Sequence, residues 1–193
     1  MTMKHIMKCL ASYAVALFTA FSVNAEEHDA IAPLSDDGVA ELLAELAAPD
    51  TEDWERIEKR IIDRWSKSGS RSMDLLLKRG RDALAKDETS TAIEHFTALT
   101  DHAPDFAEGW NARATAFFEI EEYGLSFTDI SRALALNPNH FEAMTGLGII
   151  LEQWGEKEDA LNVFREAQRL NPHREIINEA IDRLETEVSG RDI

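Results

Sequence analysis

Apolar side chains recur at helical spacing along most of the chain. Val39, Leu42, Leu43 and Leu46 mark one face over residues 35–48, and Pro49 ends it. Ser35 or Asp36 stands where a cap is needed. Trp54, Ile57, Ile61, Ile62 and Trp65 mark a second helix, with Asp50 or Thr51 placed to cap it. Ser68-Gly69-Ser70 reads as a tight connection. Near the other end, Ile176, Ile177, Ile181, Leu184 and Val188 give residues 175–188 one apolar face and a charged remainder. One stretch departs from this rhythm: Leu10 to Val23 is an unbroken run of apolar and small residues.

Between the two flanks the pattern repeats. Pro104, Pro138 and Pro172 sit 34 residues apart, and two of them close the same tripeptide, Leu136-Asn137-Pro138 and Leu170-Asn171-Pro172. Ala92, Ser126 and Ala160 are small in step; Phe96, Ile130 and Phe164 are large; Gly80, Ala114 and Gly148 are small again; Leu76, Trp110 and Met144 are large. Small residues let antiparallel helices approach, large ones fill the groove between stacked pairs, and proline ends each pair because it cannot continue a helix.

These residues resemble the tetratricopeptide repeat, with its period of 34 and its W-x₂-L-G-x₂-Y, A-x₃-F, P pattern. Trp110, Ala114, Phe117, Ser126, Ile130, Ala133 and Pro138 carry the middle copy. Met144, Leu147, Gly148, Leu151, Ala160, Phe164, Ala167 and Pro172 carry the last; Leu76, Gly80, Ala83, Ala92, Phe96 and Pro104 carry the first. Arg79 and Arg113 stand where the family has leucine, and Leu99 where it has a small residue, which predicts looser packing there. The resemblance implies an all-α fold, a right-handed solenoid of helical hairpins. Residues 71–174 form three repeats, 35–70 an N-terminal hairpin (a degenerate repeat or a cap), 175–188 a capping helix and 189–193 a tail.

Lys4 and Lys8 precede the apolar run, and Val23-Asn24-Ala25 then Glu26-Glu27 follow it. This is the order of an export signal, shorter than the roughly 20 residues a spanning helix needs. It predicts a signal peptide over 1–25 cleaved after Ala25, an acidic linker over 26–34 and a periplasmic or secreted product; the alternative is an inner-membrane signal anchor. Cys9, the one cysteine, lies before the run, which leaves no disulfide framework.

The chain has 37 acids against 20 bases, a formal charge of −17. That charge repels phosphate backbones and anionic lipid, so nucleic acid is excluded as a natural partner. No nucleophile elbow, phosphate loop or dinucleotide fingerprint occurs. His28, His95, His102, His140 and His173 have no ligand spacing. No enzyme activity, metal or cofactor is therefore expected. Glu121-Glu122 and Glu156 to Asp159 read as charges that complement helix N-termini.

By the resemblance, the first helix of each pair lines a concave face. Its stripe holds Leu77 and Arg81, then Asn111 and Thr115, then Thr145 and Ile149, with Phe118 and Glu152 one turn further. The basic clamp by which one subclass grips chaperone carboxylates is missing, since those places hold Leu77, Arg81, Ala112, Glu142 and Gly146. The expectation is a module that holds a peptide or helix of a cell-envelope protein in this groove. The alternative is self-association into an assembly.

Overall fold

The computed structural model describes residues 37–190, which form nine α-helices and no strand. The segments read as signal and linker, Cys9, and the caps Ser35 and Asp36 lie outside the described residues. Helices α1 (Asp37–Leu46) and α2 (Trp54–Trp65) make the N-terminal hairpin. Three further hairpins follow: α3 (Arg71–Leu84) with α4 (Thr89–His102), α5 (Ala107–Glu119) with α6 (Tyr123–Leu136), and α7 (Phe141–Gln153) with α8 (Lys157–Leu170). Helix α9 (Glu175–Ser189) ends the array. Pro49, Pro104, Pro138 and Pro172 all fall between helices, as their missing amide donor requires.

Each repeat closes by the same volume exchange. A Cβ added to Gly80 would collide with the Phe96 ring, and one added to Gly148 would lie 2.7 Å from the Phe164 ring. In the middle repeat the corresponding pair is Ala114 and Ile130, both buried. A larger residue on one helix is matched by a smaller one across from it, which keeps the interface at interior density. Leu99 is fully buried and causes no loosening, because Gly109 lies against it, its ideal Cβ position 3.2 Å from Leu99 Cδ2.

The turn inside each repeat is also shared. Asp87, Glu121 and Gly155 all have φ between 60° and 82°. In each turn this residue's amide and the next donate back to carbonyls of the preceding helix, as in Glu121 N–H to Phe118 O and Glu122 N–H to Phe117 O. This left-handed cap is free of strain only at Gly155. It also corrects one expectation in part: Glu121 sits past the C-terminal end of α5, whereas Glu122 is the N-cap of α6 and Glu156, Glu158 and Asp159 stand at the N-terminus of α8 as expected.

Arg113 corrects another. Its guanidinium forms a two-point pair with buried Asp129 of α6, at 2.7 and 2.9 Å, and donates to Thr100 Oγ1 of α4 at 2.9 Å. It also lies over the Trp110 ring, 5.0 Å from its centroid. An ion pair bracing three helices here replaces the leucine. Arg79, in the same slot of the first repeat, is exposed, with no earlier repeat to receive it.

The hairpin α1–α2 instead buries its apolar side far along the array. Val39, Leu42, Leu43, Leu46, Ile57 and Ile61 pack with Phe141 of α7 and Leu170 of α8. Trp65 stacks on His140 with ring centroids 4.7 Å apart, and Trp54 stacks on His173 at 5.6 Å. Between them Glu58 accepts from Asn171 at 2.6 Å and pairs with Arg174 at 3.2 Å. His173 Nε2 donates to the Leu46 and Ala48 carbonyls that end α1. Thr51, expected to cap α2, donates to Glu45 O and Ala48 O and so closes α1.

Candidate binding groove

Helices α3, α5 and α7 present the stripe that the sequence singles out, but not all of it faces outward. Leu77 is buried in the core beside Ala83, Phe96 and Ala112. Thr145 is buried, and its hydroxyl donates to Phe141 O at 2.8 Å. These two form the wall and are unavailable to a ligand. Thr115 is exposed, and Asn111, Phe118, Ile149 and Arg81 are half-buried. Phe118 is held edge-on against Tyr123, with centroids 5.2 Å apart. At the far end Glu152 accepts twice from Arg183 of α9, at 2.9 and 3.1 Å, so the capping helix closes the stripe.

Arg81 has a structural partner as well as a place in the stripe. Its guanidinium pairs with Glu108 and donates to Ser66 Oγ at 3.0 Å, linking α3 to α5 and to the end of the hairpin. Glu108 is 4% exposed and carries a full shell of donors: Arg81, Asn111 Nδ2 at 3.4 Å and His140 Nε2 at 2.8 Å. Burial pushes its carboxyl up, but the His140 hydrogen bond and the Arg81 charge outweigh it and hold it below the usual carboxylate value. Glu142, one repeat on, goes the other way: burial, then repulsion by Glu108, holds its carboxyl above the usual value. Among the described residues no buried side-chain polar atom lacks a partner.

This buried knot escaped the sequence pattern. Asp74, Glu108 and Glu142 share a repeat position, and an acid placed three times, 34 residues apart, is the signal that was there to be followed.

Glu108, His140 and Glu142 are close enough to be tested as metal ligands, with donor atoms within 4.8 Å of one another. The chemistry does not fit. His140 is the N-cap of α7, and its Nδ1 accepts from the Ala143 amide at 3.3 Å. The ring proton therefore sits on Nε2, the atom that faces Glu108. Binding a cation at Nε2 would move that proton to Nδ1 and break the cap. Arg81 and Arg174 already supply positive charge to the two carboxylates.

Comparison with known proteins agrees with this architecture. The tetratricopeptide repeat family model matches residues 77–129 and again 128–175. A TPR repeat-containing protein of Rhizobium etli is 28% identical over 134 residues, which are 69% of this chain and 66% of that one. Among solved structures, the Sgt2 TPR domain from Aspergillus fumigatus superposes with a TM-score of 0.59 at 18% identity, covering 64% of this chain and 83% of its own. The Yersinia enterocolitica type III secretion chaperone SycD, in complex with a peptide of the translocator YopD, gives a TM-score of 0.57 at 14% identity, covering 61% and 95%. At such identities the structural likeness shows the fold. With two consecutive matches over the repeat helices, the chain belongs to the tetratricopeptide-repeat family, an all-α fold whose members bind peptide and protein partners.

Proposed function

We propose that this chain is an exported binding module whose concave groove holds an extended segment or helix of a cell-envelope protein. The observation that carries the reading is the open part of the stripe. Asn111 and Thr115 offer polar groups to a ligand backbone, while Phe118 and Ile149 offer apolar contact area. Repeat stacks present such extended concave surfaces without further elaboration. The peptide held by the similarly folded SycD supports the same use of this fold. The export half of the proposal rests on Lys4, Lys8, the Leu10 to Val23 run and the small residues ending at Ala25.

The test of the groove leaves Arg81 in place, because removing it would strand the Glu108 carboxylate. A Thr115→Tyr variant fills the groove at an exposed position and should fold normally. In-cell crosslinking followed by mass spectrometry should recover a partner with the parent chain and lose it with this variant. A partner kept by the variant would remove the groove from the mechanism. For export, a mature N-terminus at Glu26 is expected by mass spectrometry of the purified protein. An intact Met1 in a soluble cell fraction would end that part of the proposal.

A further inference from the structure

The α2–α3 region is a basic island in an acidic chain. Residues 54–82 carry nine of the chain's 20 lysines and arginines but five of its 37 acids. A cleft of about 530 Å³ opens there between the end of α2 and one face of α3. Its acids are already satisfied: Asp63 pairs with Lys59, Asp82 with Lys78, and Asp74 accepts from the Ser68 amide and hydroxyl. Lys67 and Arg71, at the same cleft, have no side-chain partner among the described residues. Beside them Ile62 is half-buried, and Leu75 is 46% exposed although large and apolar. Arg81 borders this cleft and also stands on the groove stripe, so the two recesses adjoin at that side chain.

We propose that this cleft is the acid-selective end of the groove, and that it takes a partner peptide with acidic residues flanking an aliphatic one. The proposal rests on the groove reading above and names its ligand chemistry. Two uncompensated cations attract carboxylates, and Ile62 and Leu75 give an aliphatic side chain a surface to cover. A peptide fits better than an anionic bilayer. The site is recessed, and the rest of the chain, with 32 acids against 11 bases, repels an extended negative surface.

The test pans a displayed library of random linear peptides against the full chain, then measures the winners by fluorescence anisotropy. Asp or Glu next to Leu, Ile or Val should dominate the selected sequences. Lys67→Glu/Arg71→Glu, both exposed and expected to fold unchanged by circular dichroism, should weaken binding at least about tenfold, as should Gln for acid in the peptide. Selection with no acidic bias, or equal binding by the charge-reversed variant, would overturn the proposal. The Thr115→Tyr variant separates the two readings. Peptides lost by that variant but kept by Lys67→Glu/Arg71→Glu leave the groove standing and remove the cleft. Peptides lost by the charge-reversed variant and kept by the groove variant assign the acid contacts to the cleft alone. Vesicles of phosphatidylcholine and phosphatidylglycerol serve as the competing surface, and binding to them that depends on Lys67 and Arg71 would reassign the cleft to membrane.

Discussion

Asn171 donates a hydrogen bond to Glu58 across 2.6 Å, and the two residues are 113 positions apart in sequence. Asn171 is fully buried and Glu58 is 9% exposed, so neither has water to fall back on. Asn171 closes the last repeat and Glu58 lies on the hairpin, which makes the bond a clasp between the start and the end of the fold. Asn171→Ala should destabilise by about 1.5–3 kcal/mol in urea unfolding, the loss of a hydrogen bond to a buried charged acceptor that is left with Arg174 alone. A double-mutant cycle with Glu58→Gln should show coupling above about 1 kcal/mol. Strict additivity would mean that the clasp contributes nothing of its own.

Arg113 and Asp129 form the second buried pair, with side chains 15% and 4% exposed. Arg113→Leu alone leaves the Asp129 carboxylate buried and should cost about 3 kcal/mol. The double variant Arg113→Leu/Asp129→Leu restores the apolar residue typical of the family slot and should return to within about 1 kcal/mol of the parent. If the double variant is no better than the single, the pair is not what fills this slot.

Gly148 and Phe164 test the volume exchange. Gly148→Ala should destabilise by about 1–3 kcal/mol through overpacking. Adding Phe164→Ile should recover part of that loss, since Ala114 with Ile130 is the same solution in the middle repeat. Gly124→Ala is the control. Nothing lies within 4 Å of its would-be Cβ, so better helix propensity should stabilise by about 0.5–1 kcal/mol.

Glu108 and Glu142 should have opposite effects on stability as pH changes. Glu108 titrates lower in the fold than when unfolded, so its contribution is full above the ordinary value of 4.5 and fades as pH falls through the lowered folded value. Glu142 titrates higher in the fold, so its ionisation weakens the fold at neutral pH, and that penalty disappears on acidification through the raised value. Glu108→Gln should therefore destabilise at neutral pH and Glu142→Gln should stabilise. Both differences should shrink by about pH 3 in denaturant titrations. The same sign for both variants at neutral pH would refute this account.

Most of the helices and their stacking were legible in the sequence, because the period of 34 and the alternation of small with large residues are local statements about neighbouring helices. The family's loosened slots were misread at Arg113, since a charge at an apolar slot looks like a defect until Asp129 is seen opposite. The hairpin was legible as two helices but not in its placement. Val39, Leu42, Ile57 and Ile61 say that a face must be buried, but nothing in their spacing says that Phe141 and Leu170 bury it. Of the stripe implied by the resemblance, Thr115 is exposed and Asn111, Phe118 and Ile149 are half-buried. Leu77 and Thr145 were lost to the core because a stripe position does not report how deeply its helix is packed.

The clasp between α2 and the last repeat changes how this array unfolds. A simple solenoid is held by nearest-neighbour contacts, melts from its ends inward and tolerates the loss of a terminal unit. Here the hairpin is fastened to the last repeat, so it cannot detach without exposing Phe141 and Leu170 there. The hairpin and the last repeat should therefore unfold together, and the array should fold more slowly than its helical content alone implies, because closure across more than a hundred residues must precede the gain.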